Sequence, residues 1–369
     1  MKELRIKDIC DKGSSNLKQK DIEGKTGQYP VYGASGVISY IDSYHQEEDY
    51  IAIVKDGSGI GRVTFMPAKS SIIGTMQYIL PKEGFNINYI GYCLQSLDLS
   101  KYKQGAAIPH IYFRDYGERF VKVTEDLNEQ QSIVDYLNSA FAKIDAMKAN
   151  AEKALNEAKA LFQASLKKML EPKDGWEEKK LGDICSDIRY GTSTPSNENG
   201  EYKYLRMNNI TNDGFLDVSH YKTITLPEKE LEKCLVKKGD IIFNRTNSRE
   251  LVGKSCVFTE EEKMVIAGYL IRIRLKEGFE PQFITYNMNL QRSLGFFQHL
   301  IVGAVHQANI SANNIQKIII NHPILSEQQS IVTSLDSLKS KVDRLQENFD
   351  KISQECDALK QAILRQVFE

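Results

Sequence analysis

An internal repeat constrains this 369-residue chain more than any other feature. The segment Leu127–Val134, with the letters LNEQQSIV, returns as Leu325–Val332, LSEQQSIV, at an offset of 198 positions. The same offset relates Gly105 to Gly303. Repetition at a fixed period is typical of chains built from copies of one structural unit. We therefore predict two copies of one unit, each a globular lobe followed by a helix.

The second copy of the repeated segment opens a long heptad pattern. Apolar residues recur at alternating spacings of three and four: Leu335, Leu338, Val342, Leu345, Phe349, Ile352, Cys356, Leu359 and Ile363. This is the a/d repeat of a coiled-coil helix, sustained over about four heptads. A helix of this length with one apolar stripe needs a partner that covers the stripe.

The first copy of the repeated segment supplies that partner. The apolar residues that follow it lie on one side of a helix: Leu137, Phe141, Ile144, Leu155 and Phe162. The start of the chain repeats as well, because Ile6–Cys10 resembles Leu181–Cys185 at an offset of 175. We predict two long helices packed antiparallel, with pseudo-two-fold symmetry between the lobe-and-helix units.

Composition limits the class of protein. With 41% hydrophobic and 26% charged residues, the chain is typical of soluble proteins, and no stretch is apolar and long enough for a membrane span. The six cysteines are scattered, which favours free thiols in a reducing cytoplasm. The net charge is −1, so any DNA binding has to depend on local clusters of basic side chains.

Both lobes have the short alternating runs and glycine turns of mainly β structure. Gly57, Gly59 and Gly61 do not form a dinucleotide-binding fingerprint, because Arg62 takes the place of the last glycine, and a hairpin turn is favoured. Gly253-Lys254-Ser255 lacks the first glycine of a phosphate-binding loop and precedes a strand-like run. No metal-ligand spacing, catalytic motif or methyltransferase motif is present in the sequence, which indicates a binding protein.

Polar and basic residues gather at the predicted tips of both lobes. Asparagine amides suit adenine, arginines suit guanine, and lysines and hydroxyls suit phosphates. The candidate DNA contacts of the first lobe are Lys18, Lys20, Lys25, Thr26, Gln28, Tyr29, Lys55, Lys101, Lys103, Gln104 and His110. Those of the second lobe are Tyr190, Thr192, Ser193, Thr194, Arg206, Asn208, Asn209, Asn244, Arg245, Thr246, Asn247 and Arg249. The alternative is that these asparagines belong to turns and that the arginines are merely solvated.

Several of these motifs together resemble the specificity subunit of type I restriction–modification enzymes. The resemblance rests on the two Leu-x-Glu-Gln-Gln-x-Ile-Val helices, on Gly239–Arg245 with Val252–Lys254, and on Tyr29–Gly36 with Gly74–Tyr78. It covers the whole chain. It implies an α+β fold with two β-rich target-recognition domains, residues 1–125 and 171–322, separated by two conserved helices, residues 126–170 and 323–369.

The resemblance also implies a function without catalysis by this chain. Each lobe would read one half of a bipartite, asymmetric sequence in double-stranded DNA. The helices would act as spacer and dock two modification (methyltransferase) subunits, and restriction (translocase and nuclease) subunits would join them. S-adenosylmethionine, ATP and magnesium would belong to those partners, and this chain would hold no cofactor or metal.

Two alternatives from other classes remain open. A self-contained DNA methyltransferase or nuclease would need a cofactor or metal site, so binding of S-adenosylmethionine by the isolated chain would favour it. A coiled-coil scaffold that binds only protein would not shift DNA in a gel.

Overall fold

The computed structural model describes residues 1–105, 109–304 and 307–369. These residues form two compact units, one from Met1–Lys153 with Glu347–Glu369 and one from Ala154–Gln346. The division passes through both long helices, so each unit contains one lobe and a segment of each helix. No helix in the described part of the chain is long and apolar enough to cross a membrane.

The first unit contains short strands, four short helices and the beginning of a long helix. In chain order they are β1 Lys2–Arg5, α1 Ile6–Ile9, β2 Cys10–Ser14, α2 Gln19–Ile22, β3 Tyr29–Gly33, β4 Gly36–Ile41, β5 Tyr50–Val54, β6 Val63–Met66, β7 Ser71–Ile72, β8 Met76–Pro81, α3 Ile87–Ser96, α4 Phe113–Tyr116, β9 Phe120–Val123 and α5 Leu127–Met169.

The second unit follows the same general order with additional strands and one added helix, Glu228–Cys234, and in the described residues it has no counterpart of α2. Its elements are β10 Glu177–Lys180, α6 Leu181–Ile184, β11 Cys185–Tyr190, β12 Tyr202–Leu205, β13 Lys222–Ile224, α7 Glu228–Cys234, β14 Leu235–Val236, β15 Ile241–Asn244, β16 Thr246–Asn247, β17 Ser255–Val257, β18 Met264–Ile266, β19 Leu270–Leu275, α8 Pro281–Ser293, β20 Val302–Ala304, β21 Gln307–Asn309, α9 Ala312–Ile315, β22 Ile319–His322 and α10 Leu325–Phe368.

The duplication predicted from sequence is confirmed in the sheets. A four-stranded sheet with the order β2-β8-β5-β6 in the first lobe corresponds to β11-β19-β15-β17 in the second. In the smaller sheets, β3 pairs antiparallel with β4 and parallel with β7, and β12 pairs in the same way with β13 and β18. The two lobes therefore share one fold.

The predicted hairpin in the first lobe is also confirmed. Strands β5 and β6 are antiparallel neighbours, and Gly57, Gly59 and Gly61 in the connection between them all have φ between 80° and 85°. Such φ values favour glycine, which explains the glycine cluster without a cofactor. Gly105 and Gly303, which the repeat aligns, also share positive φ values of 88° and 114°.

The two long helices are antiparallel in the first unit. Lys360 Nζ contacts Asp145 Oδ1 at 2.5 Å and Lys148 Nζ contacts Asp357 Oδ1 at 3.4 Å, so the residue numbers run in opposite directions. In the second unit Lys159 Nζ donates to Gln346 Oε1 at 2.8 Å. Most of the predicted pairing residues are buried or half-buried: Leu137, Phe141, Ile144, Leu155, Phe162, Leu335, Leu338, Val342, Leu345, Phe349, Ile352 and Ile363.

The heptad prediction is wrong for Leu359, which is 48% exposed. Leu364 and Phe368 are buried in its place, in a core cluster that includes Leu137 and Tyr89 of the first lobe. A helix with 3.6 residues per turn drifts by about 20° per heptad, so a strict seven-residue pattern moves off the covered face. The last turns of α10 pack on the globular core of the lobe.

One glutamine of each repeated segment ties the long helix to its lobe. Gln130 Oε1 accepts a hydrogen bond from the N–H of Asn86, the residue that caps α3, at 2.7 Å. Gln328 Oε1 accepts from the N–H of Glu280, the capping residue of α8, at 2.9 Å. Both glutamine side chains are fully buried. The repeated Glu-Gln-Gln sequence thus reflects a duplicated structural contact.

Replacing Gln328 with alanine should lower the free energy of unfolding by about 2 kcal/mol. The change removes the acceptor of the Glu280 N–H and the donor to Pro323 C=O, and it leaves buried polar groups unsatisfied. Gln329→Ala is the matched control, because Gln329 is the next residue along the chain and its side chain is exposed. Urea denaturation of the three proteins makes the comparison, and equal stability of the two variants would contradict this role.

Leu364→Ala should destabilise the protein by about 3 kcal/mol through lost burial and a residual cavity. Leu359→Ala, five residues earlier at a heptad position, should change stability by no more than about 0.5 kcal/mol, because that side chain faces solvent. Thermal and denaturant unfolding measure both. A larger loss of stability for Leu359→Ala than for Leu364→Ala would contradict this and support the heptad assignment of Leu359.

Candidate nucleic-acid interface

Lys55 follows the central strand β5 of the first lobe and is fixed by backbone bonds on both sides. Its N–H donates to Thr75 C=O at 3.0 Å, and its C=O accepts from the N–H of Ile111 at 3.0 Å. The ammonium donates to Asp56 Oδ2 at 2.8 Å. Partial burial lowers the pKa of Lys55. The side chain is therefore held close to the protein, at the end of the sheet.

A cleft of about 280 Å³ surrounds Lys55. Lys12, His110 and Arg114 line it and add further basic groups. His110 Nδ1 contacts Asp56 Oδ1, and the Arg114 guanidinium lies over the Tyr112 ring, 4.6 Å from its centroid. Sequence reasoning selected Lys55 and His110 but missed Lys12, Tyr112 and Arg114. The only sequence signal for these three is their basic or aromatic character.

The other candidates of the first lobe surround this cleft or lie on a nearby loop. Gln104 and His110 exchange both backbone hydrogen bonds, at 2.8 and 2.9 Å, which places the exposed Lys101 and Lys103 on the adjoining turn. The N–H of Gly74, the neighbour of Thr75, donates to Leu17 C=O at 2.8 Å, next to Lys18. The candidates in this part of the chain are exposed: Lys18, Lys20 in α2, Lys25, Thr26 and Gln28. Tyr29 is half-buried against Tyr44, with ring centroids 4.8 Å apart.

Arg245 occupies in the second lobe the backbone position that Lys55 occupies in the first. It follows the central strand β15, its N–H donates to Tyr269 C=O at 3.0 Å, and its C=O accepts from the N–H of Ile310 at 2.9 Å. Thr75 and Tyr269 each precede the equivalent strands β8 and β19. The duplicated fold thus presents one long basic side chain at the same point of each lobe.

The Arg245 side chain lies against aromatic and backbone groups. Its guanidinium lies over the Tyr190 ring, 4.9 Å from the centroid, and Nη1 donates to Gly268 C=O at 3.4 Å. Tyr190 is 43% exposed, and its hydroxyl accepts from the N–H of Ala312 at 2.9 Å. Stacking of this kind orients a guanidinium. The Nε of Arg245 is buried, so the terminal Nη donors are the ones left to reach a ligand. Ser193 and Thr194 follow on the same segment, exposed and half-buried.

The next position differs in chemistry between the lobes. Asp56 forms a β-bridge with His110, and their side chains are in contact. Thr246 pairs with Asn309 in the same way, and Thr246 Oγ1 donates to Asn309 Oδ1 at 2.5 Å. An acidic and imidazole pair in one lobe is therefore replaced by a neutral pair in the other.

Four candidates of the second lobe were expected at the surface, but their side chains are buried: Thr192, Asn209, Asn244 and Thr246. Asn209 organises a turn, since Oδ1 accepts from the Arg206 N–H at 2.8 Å and Nδ2 donates to the carbonyls of Asp217 and His220. The contacts of Asn209 agree with the alternative in which the asparagines belong to turns. A sequence pattern of this kind does not separate an asparagine that caps a turn from one that faces a ligand.

The remaining candidates stay accessible. Arg206 is half-buried at the start of the turn Met207–Asn209, and Asn208 is exposed on that turn. Asn247 is half-buried, with Oδ1 accepting from the Ser248 N–H at 2.8 Å. Arg249 is exposed, and its Nε donates to Gln298 Oε1 at 3.0 Å.

Lys254 does not belong to a phosphate-binding loop. Gly253-Lys254 leads into strand β17, and the Lys254 ammonium donates to Ile210 C=O at 2.8 Å. Burial lowers the pKa of Lys254, and the charge of Arg292 lowers it further. In the described ranges, no group of three or more histidine, cysteine, aspartate or glutamate side chains is placed to hold a metal ion.

Comparison with known proteins gives relatives of one kind. The chain is 25% identical over 258 residues to the type I restriction enzyme EcoKI specificity subunit of Escherichia coli (strain K12), covering 66% of this chain and 55% of that protein. It is 23% identical over 344 residues to the StySPI specificity subunit of Salmonella potsdam, covering 87% of this chain and 74% of that protein. It is 27% identical over 168 residues to the putative type I restriction enzyme MjaX specificity subunit of Methanocaldococcus jannaschii, covering 44% of this chain and 39% of that protein. The chain thus spans 55% of the length of the E. coli relative and 39% of the M. jannaschii relative.

Solved structures share the fold. A structure from a study of assembly and conformational transition of the type I R-M system superposes with a TM-score of 0.73 at 17% identity, covering 98% of this chain and 96% of that one. The HsdS subunit from Thermoanaerobacter tengcongensis gives a TM-score of 0.53 at 16% identity, covering 98% and 95%. The profile of the type I restriction modification DNA specificity domain matches residues 1–157 and 173–354, and the chain belongs to that family.

Proposed function

We propose that this chain is the DNA-recognition subunit of a type I restriction–modification complex. Each lobe reads one half of a bipartite, asymmetric target in double-stranded DNA. The proposal rests on family membership and on one observation in particular: the duplicated fold presents Lys55 and Arg245 at the same backbone position. An arginine can pair with guanine N7 and O6 through two donors, whereas a lysine acts as a point charge. Different residues at this position favour different half-sites.

The accessible candidates divide into two kinds of contact. Arg206, Asn208, Arg245, Asn247 and Arg249 have the amide or guanidinium groups that read base edges. Lys55, at the position equivalent to Arg245, can also contact guanine N7 and O6. The other lysines and the hydroxyl groups suit the phosphate backbone, which fixes position without specifying sequence. Lys12 and Arg114 join this second group, since they line the Lys55 cleft.

The proposed partners are those that membership of this family implies. We assign two modification subunits to the paired helices, and restriction subunits to the complex that they form. S-adenosylmethionine, ATP and magnesium then bind to those subunits in the cytoplasm, and this chain contributes no catalytic group. The net charge of −1 supports the assignment, because a chain without excess positive charge gains little from phosphate neutralisation alone.

Arg245→Ala should reduce the affinity for the second half-site about tenfold, the usual cost of one lost base contact. Methylome sequencing of cells that carry this chain and its partners gives the target. Binding of the assembled complex is then measured on duplexes with either half scrambled. Arg245→Ala should bind the duplex with a scrambled second half as the unaltered complex does, and Lys55→Ala should show the mirror-image behaviour.

The two variants control for each other, and Lys229→Ala on the exposed face of α7 controls for loss of a positive charge. Equal weakening on every duplex would make Arg245 a phosphate contact. Absence of a methylated bipartite sequence, together with equal binding to all duplexes, would reject the proposed function.

Removing one heptad from each long helix should bring the two half-sites closer by about three base pairs, since seven helical residues span about 10 Å. Deleting 148–154 together with 351–357 preserves the antiparallel pairing, because Lys148 contacts Asp357. Methylome sequencing reads out the new spacing. An unchanged spacing would show that the helices do not set it.

A further inference from the structure

At equivalent positions, each lobe contains a basic residue whose side chain donates a hydrogen bond to a backbone carbonyl of the same lobe. Arg62 C=O accepts from the Val54 N–H at 3.0 Å, and Lys254 C=O accepts from the Asn244 N–H at 2.8 Å. Val54 and Asn244 end the equivalent central strands β5 and β15. Each basic residue follows a glycine with positive φ, 85° at Gly61 and 88° at Gly253. The duplication therefore extends to these residues.

Their side chains bind equivalent segments. Arg62 Nη1 donates to Ala34 C=O at 2.9 Å, in the turn that follows β3. Lys254 Nζ donates to Ile210 C=O at 2.8 Å, just beyond the turn that follows β12. Strands β3 and β12 occupy the same place, each between one antiparallel and one parallel neighbour. In both lobes a basic side chain thus connects the hairpin that follows the central strand to the chain just after β3 or β12, the strands of the smaller sheets.

The burial of Lys254 shows that this contact is not incidental. The residue is 5% exposed, and the groups that receive its hydrogen bonds are Ile210 C=O and Asn212 Oδ1, the latter at 3.3 Å. Transferring an ammonium group out of water is unfavourable, and an apolar side chain of similar length would fill the space without that penalty. A specific constraint on the turn explains why a lysine is present.

In the first lobe the space for the cation is provided by a glycine. A Cβ at Gly59 would lie 2.4 Å from Arg62 Nη2, so a larger residue would displace the guanidinium. Gly59 also has a φ of 80°. The glycine hairpin between β5 and β6 therefore leaves room for Arg62 to reach Ala34 C=O.

The turn held by Lys254 lies beside the proposed base-reading group. It begins at Arg206 and carries the exposed Asn208. Leu205 C=O accepts from the Ala267 N–H at 2.9 Å, and the next residue, Gly268, accepts from Arg245 Nη1. A shift of this turn would move Arg206 and Asn208 relative to Arg245.

We infer that Arg62 and Lys254 are positioning residues that fix the turn after β3 and the turn after β12, and that they thereby set the sequence selectivity of each lobe. Neither residue needs to touch DNA. The inference rests on the proposed function, and it adds the residues that hold each reading surface in register.

Hydrogen exchange on the full chain tests the structural half of the inference without DNA. Lys254→Met keeps the length and removes the cation, and it should speed exchange of the amides in 207–217 at least severalfold. Arg62→Met should do the same in 33–38, with a smaller effect because Arg62 is exposed. Lys229→Met is the control. Unchanged exchange in both turns would overturn the inference, whatever the DNA result.

Binding by the assembled complex tests the functional half. Lys254→Met should lower discrimination between the intact and scrambled second half-site about tenfold, while discrimination at the first half-site stays as it is. Arg62→Met should lower it at the first half-site. Lys254→Arg and Arg62→Lys should restore part of the selectivity, because each retains a donor to the turn. Faster exchange with unchanged selectivity would overturn the positioning role.

Failure of the proposed function and failure of the positioning role would give different results. Equal binding of every duplex by the unaltered complex would reject the proposed function, and the exchange data would still decide whether the cations hold the turns. A uniform loss of affinity on all duplexes by Lys254→Met, with a matching fall in global stability, would reduce Lys254 to a structural residue and overturn the inference.

Discussion

The buried glutamines of the repeated segment are the contacts on which each lobe-and-helix unit depends. Gln130 donates to Gly84 C=O and Thr124 C=O and accepts from the Asn86 N–H, so one side chain satisfies three backbone groups. Gln328 bridges Pro323 C=O and the Glu280 N–H in the second lobe. Buried backbone groups without partners are costly, so these bonds couple the first turn of the long helix to the first turn of the lobe helix. The direction of the long helix then follows from the lobe.

How much could be predicted from sequence depended on whether a feature is periodic. The repeat, the two long helices and the glycine hairpin all leave regular patterns, and the structure confirms them. The exposure of Leu359 and the burial of Leu364 could not be predicted, since the end of α10 leaves the heptad pattern where it meets the core of the first lobe. A repeat predicts which residues are equivalent, but packing against other elements decides which of them are covered.

The binding surface was less predictable for a related reason. Asn208 and Asn209 are adjacent asparagines at the end of one strand, yet one is exposed and the other satisfies three backbone groups of a turn. Lys12 lines the Lys55 cleft although 43 positions separate the two in the chain. Composition could select Lys55 and Arg245, but their equivalence rests on backbone hydrogen bonds to Thr75 and Tyr269 that no local pattern reveals. The contacts of Gln130 and Gln328 were missed in the same way, although both residues lie at the same position of the repeated segment.

Backbone bonds that do not depend on side-chain identity allow one fold to present different side chains at equivalent positions of its two lobes. Lys55 and Arg245 are held through their own N–H and C=O groups, and Asp56–His110 becomes Thr246–Asn309 with the same bridge retained. The side chains at these positions can therefore change without altering the lobe. Arg62 and Lys254 are different, because their side chains bond to the backbone of another segment, and both positions carry a basic residue although Arg62 is exposed and Lys254 is buried. In a chain with a net charge of −1, non-specific attraction to phosphates is weak, so under the proposed function selectivity would depend on a few well-positioned groups. In the second lobe, the turn held by Lys254 next to Arg245 would supply that positioning.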